Sequence, residues 1–209
     1  MSIDVLLTGF APFDGAAVNE SWLAVREAAP ALRAAEITTR ELELPVEFGR
    51  AGAELLHAAR ECAPRLIVAV GLAAGRQAVT PERVTINIRD ARIPDAAGAS
   101  PVDEPVVPGG PVGYFSTLPI KAMTKALSTQ GLPAAVSQSA GTYVCNDVFY
   151  LLAHALATDP QLAQARGGFV HVPAADVAPP AAVARGLVAA IRTALESPED
   201  LVVTGGAEH

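Results

Sequence analysis

Cys145 lies in the run Gly141-Thr142-Tyr143-Val144-Cys145-Asn146-Asp147, after an apolar extended stretch, Ala134 to Ser137. The residues that follow place Val148, Leu151, Leu152, Ala155 and Leu156 at helical spacing. The pattern predicts a helix N-terminus at or near the cysteine. There, unpaired backbone N–H groups and the helix dipole stabilise an anion. The thiol is therefore expected to ionise more easily than a free cysteine, and a thiolate is the nucleophile. Without context, a single cysteine is more often a small buried apolar residue.

Two further groups supply context. His171 interrupts the apolar run Phe169-Val170-His171-Val172-Pro173, and Glu82 stands in Thr80-Pro81-Glu82-Arg83 just before an extended piece. Taken singly, the histidine reads as a satisfied core residue and the glutamate as half of a surface ion pair. Together, Cys145, His171 and Glu82 each fall next to the end of a different predicted strand, where a thiol, a base and an orienting carboxylate would be assembled. Phe10 and Phe13 share the loop Thr8 to Gly15, where two aromatics could close over a flat apolar ligand or merely plug the sheet's end. That loop lacks the lysine of a phosphate-binding loop. The charged stretch Arg89 to Asp95 could present an arginine to a developing negative charge, although a solvated loop is the more common reading of such a stretch. No histidine or cysteine spacing resembles a zinc site, and no metal is expected.

These residues must be carried by a chain that alternates. Strands are predicted at Ile3–Thr8, Ile37–Leu44, Leu66–Val70, Ala134–Ser137 and Phe169–Val172, with a short extended piece at Val84–Ile88. Helices are predicted from Asn19, as cap, to about Ala29, and at Glu47–Cys62, Pro119–Gln130, Asn146–Thr158 and Ala181–Glu196. The alternation implies an α/β fold, a single-domain α/β/α sandwich with a mostly parallel central sheet over residues 1–196. Ligands in such sheets bind beyond the carboxyl ends of the strands. Residues 197–209 have little pattern and read as a frayed, flexible tail. The Gly- and Pro-rich segment Ala96 to Gly113 reads as either a mobile lid or an assembly arm.

Composition narrows the partners. The 209 residues are 51% hydrophobic but only 5% aromatic, enough for one sizeable aliphatic core. A net charge of -7 leaves no basic stripe for nucleic acid or an acidic membrane surface. The start Met-Ser-Ile-Asp lacks the features of a signal peptide, and no stretch approaches a membrane span, so a soluble cytoplasmic protein is expected. Cys62 and Cys145 form no disulfide framework and read as reduced thiols.

Six blocks carry a resemblance. Phe10-Ala11-Pro12-Phe13, Thr80-Pro81-Glu82-Arg83 with Ile86-Asn87-Ile88, Ala91-Arg92-Ile93-Pro94-Asp95, Ser116-Thr117-Leu118-Pro119, Ala140 to Asn146, and Phe169 to Pro173 resemble, in order, those of the pyroglutamyl peptidase I family. The resemblance implies a cytosolic cysteine peptidase that removes an N-terminal pyroglutamyl residue from peptides, without metal or cofactor, commonly as a homotetramer. It implies Cys145 as nucleophile, His171 as base and acid, Glu82 as the carboxylate orienting the histidine, and Arg92 near the oxyanion. Phe10, Phe13 and Tyr143 match aromatic positions lining the pyroglutamyl pocket, and Asn19 a polar position holding the lactam. The sequence departs from the pattern at Leu72, where members often have Gln, at Asp147, where they often have His, and at Ala96, where they often have Asn. A different cysteine amidase and a non-catalytic binding relative are the competing readings.

Overall fold

The computed structural model describes residues 3–206; the first two residues of the chain start and residues 207–209 of the proposed tail lie outside the described residues. Three parallel strands form the centre: β1 (Val5–Phe10), β3 (Leu66–Leu72) and β7 (Arg166–Val172). β2 (Thr39–Leu44) extends the sheet on one side, and the two-residue β4 (Thr80–Pro81) closes the other side antiparallel to β7, giving the order β2-β1-β3-β7-β4. β1 and β3 are continuous apolar runs because both faces of the sheet are covered.

Each face has its own core. Val5, Leu7, Val68, Val70, Val170 and Val172 pack against α1 (Glu20–Ala34), α3 (Ile120–Thr129) and α5 (Pro180–Glu196). Leu6, Phe10, Ile67, Ala69 and Phe169 face α2 (Arg50–Cys62) and α4 (Val144–Thr158). The protein is therefore a helix–sheet–helix sandwich with a mostly parallel sheet, as the alternation implies. A separate hairpin of β5 (Val84–Ile86) and β6 (Gly113–Phe115) lies against α4.

Several boundaries differ from the sequence reading. α1 runs through Pro30 to Ala34 rather than stopping at Ala29. Burying Leu32 beyond the proline contributes about 2 kcal/mol, which offsets much of the roughly 3 kcal/mol an interior proline costs. Pro30 and Arg26 are exposed, so the Arg26 carbonyl left without its helical donor can be hydrated. Residues 134–137 form no strand of their own; Ala134 and Ser137 make isolated parallel bridges to Val79 and Glu82. α2 begins at Arg50, because the chain turns at Gly49 with φ +70°.

The 96–113 segment is held to the body at several points: Arg89 bridges Glu104, Asn87 bonds Val107 and Gly110, and the Tyr150 hydroxyl donates to the Pro111 carbonyl at 2.6 Å. Of the 197–206 stretch, the Asp200 carboxylate accepts from the first-turn N–H groups of Lys121 and Ala122, and the Gly205 carbonyl accepts from Arg83 and Gln138. No helix among the described residues is long and apolar enough to cross a membrane.

Candidate active site

The site forms at the carboxyl ends of β1, β3 and β7. Gly141, with φ +80°, turns the chain toward α4, whose cap is Tyr143, so Cys145 falls in the first turn. No acceptor among the described residues takes the backbone N–H groups of Val144 and Asn146, and that of Cys145 turns toward its own sulfur. The Asn146 side chain fastens this end of the helix: it bonds Thr85, the Ile86 N–H, and the carbonyls of Ile86 and Ile88, all from a fully buried position.

A missing side chain seats the sulfur. A Cβ on Gly71 would come within 2.9 Å of Cys145 Sγ and 2.7 Å of Phe169 Cζ, so the sulfur occupies space that any other residue at 71 would need. Gly71 is in register with His171 on the adjacent strand, about 4.8 Å away across the ladder. His171 Nδ1 donates to Glu82 Oε1 at 2.7 Å, and Nε2 has no hydrogen-bond partner among the described residues. Glu82 is fully buried, and its Oε2 has no hydrogen-bond partner among the described residues. The structure thus brings together Cys145, His171 and Glu82.

The local electrostatics correct one expectation. Burial, followed by the charge of Glu82, pushes the Cys145 thiol up to about 12, although Arg76 and the backbone N–H pull it down. Desolvation beside a carboxylate therefore outweighs the helix N-terminus, even though the cysteine keeps partial exposure. Burial also holds His171 below the ordinary histidine value, against the opposing pull of Glu82. The resting pair is a neutral thiol and a neutral imidazole.

A cleft of about 370 Å³ opens beside the sulfur. Phe10, Phe13, Asn19, Leu72 and Tyr143 all line it with Cys145, and Val46, Ile93 and Asp14 complete the wall. Tyr143 is wedged between Phe13 (ring centroids 6.1 Å apart) and the edge-on Phe48 (5.2 Å), and its hydroxyl donates to the Pro94 carbonyl. Burial pushes that phenol up to about 12, so it stays neutral. The Asn19 amide is already engaged: Oδ1 accepts from Ser21 as the helix cap, and Nδ2 donates to the Ala11 carbonyl.

Two carboxylates hold the 46–49 wall from behind. Asp95 accepts from the Phe48 N–H at 2.9 Å and Asp147 from the Gly49 N–H at 2.7 Å, while Arg89 pairs with Asp147 at 2.6 Å. Arg92 is not brought in: it is exposed, has no partner among the described residues, and is absent from the cleft wall that its neighbour Ile93 joins. Sequence reasoning assigned no role to Arg76, which donates to Glu82 Oε1 at 2.6 Å. Its position in the loop directly after a parallel strand was the available signal. Among the described residues, no group of three or more His, Cys, Asp and Glu could hold a metal ion.

The family model described as pyroglutamyl peptidase matches residues 3–197, nearly the whole chain. The chain belongs to the pyroglutamyl peptidase family. Among curated members, it is 50% identical to the pyrrolidone-carboxylate peptidase of Streptomyces coelicolor, over 98% of this chain and 99% of that protein. It is 54% identical to that of Clavibacter michiganensis, over 81% of this chain and 78% of the other. The family likeness extends to three dimensions. The crystal structure of pyroglutamyl peptidase I from Bacillus amyloliquefaciens superimposes with a TM-score of 0.90 at 37% identity, covering 98% of this chain and all of that one. Pyrrolidone carboxyl peptidase from the hyperthermophile Pyrococcus furiosus gives 0.85 at 37% identity, covering 93% and 99%.

Proposed function

We infer that this chain is a cysteine peptidase that removes an N-terminal pyroglutamyl residue from peptides through a thioester intermediate. The observation that carries the reading is the sulfur of Cys145 seated over Gly71, beside the His171–Glu82 pair and open to an apolar cleft. Because both partners rest neutral, sulfur attacks the pyroglutamyl carbonyl as its proton passes to His171 Nε2, with Glu82 stabilising the imidazolium. The unpaired N–H groups at the start of α4 stabilise the tetrahedral oxyanion. Arg92 would have to reach inward from the exposed edge, so the reading rests this role on the backbone donors. His171 then protonates the departing amine, and water releases pyroglutamate from the thioester with the same histidine as base.

Selectivity follows from the cleft. The lactam is flat and uncharged, which suits walls made by Phe10, Phe13, Leu72 and Tyr143. An ordinary N-terminus carries a charged amine that these walls cannot pair, a costly burial. With its amide engaged, Asn19 serves the lactam mainly by fixing the entry of α1 and the Ala11 carbonyl. We place the enzyme in the cytoplasm, since both cysteines are free and a reduced thiol suits that compartment. We also propose a homotetramer, supported by exposed apolar side chains on the hairpin and its approach, Ile86, Val112 and Phe115.

The test is hydrolysis of a chromogenic pyroglutamyl amide by the wild type and by Cys145→Ser, with the matching prolyl and glutamyl amides as controls. We expect cleavage of the pyroglutamyl amide alone, reduced by at least about 10³-fold in the serine variant. A folded, reduced wild type that leaves the amide intact would favour a binding protein instead.

A further inference from the structure

We propose that Arg76 is a positioning residue for this reaction, holding Glu82 by the same oxygen that holds His171 and so keeping the histidine ready for the Cys145 proton. The inference rests on the peptidase reading above. Glu82 is anchored through one oxygen only: Oε1 accepts from His171 Nδ1 at 2.7 Å and from Arg76 Nη1 at 2.6 Å, while Oε2 has no partner among the described residues. A carboxylate held by a single oxygen can pivot. Without Arg76, the imidazole would be the only hydrogen-bond partner of the Glu82 carboxylate among the described residues, and the two side chains would drift together.

Arg76 is built to prevent that. Its guanidinium also donates to the Thr80 hydroxyl and, through Nη2, to the Ser139 carbonyl at 2.9 Å. One planar fork therefore ties the loop after β3, whose Ala74 lines the cleft beside Leu72 at the strand's end, to β4 beside Glu82 and to the segment that leads into α4. A lysine could supply the charge but not three directed contacts from one rigid plane.

The charge has its own role. The charged groups that act on His171 are Glu82, just after β4, and Arg76 from the loop after β3; the Cys145 thiol from α4 is seated over Gly71, in register with His171. Burial is the main force keeping the imidazole neutral against the pull of the Glu82 carboxylate, and a protonated His171 cannot accept a proton from sulfur. Arg76 adds to burial in opposing that pull, and it favours the thiolate as well.

The experiment compares wild type, Arg76→Gln and Arg76→Lys in two ways: kcat/KM against pH on the pyroglutamyl amide, and the His171 midpoint by NMR of the labelled imidazole. In Arg76→Gln we expect the acid limb and the NMR midpoint to rise together by about 1 unit. We also expect kcat to fall by about tenfold with KM changed by less than about twofold. Arg76→Lys should restore the limb but only part of kcat. If both variants keep the wild-type limb and midpoint, or if Arg76→Lys keeps full kcat, the proposal is overturned. The lysine result decides the positioning claim even if the glutamine variant fails to fold. Failure of the peptidase reading would appear separately, as an inactive wild type, with the NMR midpoints still deciding the effect of Arg76 on His171.

Discussion

Gly71 shows how one absent methyl group can set chemistry. Its missing Cβ leaves the volume that Cys145 Sγ and the Phe169 ring share, next to His171 across the ladder. Gly71→Ala would push the sulfur or the ring aside, and shifts of about 1 Å can cost roughly 10²-fold in rate. We expect kcat to fall on that order and stability by about 1–3 kcal/mol, the usual cost of overpacking. Steady-state kinetics and urea unfolding measure the two. Unchanged kcat would mean that the sulfur is not held against the sheet. Cys145, His171 and Glu82 were legible in the sequence because each falls next to the end of a different predicted strand, where functional groups of such a sheet gather. Arg76 was not, since its partner Glu82 lies six residues on, across a turn that no local pattern reveals. The ionisation of Cys145 was misjudged for a related reason. A helix N-terminus can be read from spacing, whereas burial and a facing carboxylate belong to the folded state.

At the scale of elements, α4 and the β5–β6 hairpin act together through Asn146. Its side chain is the buried joint between the first turn of the helix and the Thr85–Ile88 segment. Asn146→Ala leaves the Ile86 N–H and two carbonyls without that partner, at a cost of about 2–4 kcal/mol. We expect chemical denaturation to register this loss, and hydrogen exchange to rise at Thr85 and Ile86 before the central strands. Equal exchange in wild type and variant would contradict the joint. The sequence predicted β1, β3 and β7 because strands buried on both faces are continuous apolar runs. It missed the extent of α1 because tertiary burial of Leu32 overrides the proline signal. It also read 134–137 as a strand, since an apolar extended run looks alike whether it forms a ladder or only two bridges.

For the whole molecule, the buried His171, the proposed base, would link catalysis to stability. Its native pKa lies below the ordinary 6.5, with burial the main cause. Between those two values the unfolded chain binds a proton that the native state does not, so stability falls as pH drops below about 6.5 and levels off once the native imidazole is also charged. The acid limb of kcat/KM for the free enzyme should likewise fall below 6.5, since protonated His171 cannot serve as base. Thermal melts and rate profiles from pH 4 to 8 (about the range where histidines titrate) check both. An acid limb above 6.5 would argue against a buried neutral histidine as the base. Alkylation of Cys145 should in turn accelerate steeply only in alkaline solution, because its thiol ionises near 12.

The seat over Gly71 also has a consequence for the timing of disorder and order. A sulfur lodged in the side-chain layer of a sheet has its rotamer chosen while the chain folds, so the entropy of aiming it is already spent when a peptide arrives. In the proposed reaction the incoming lactam then has only itself to align, and each turnover would begin from a nucleophile that has no search left to make.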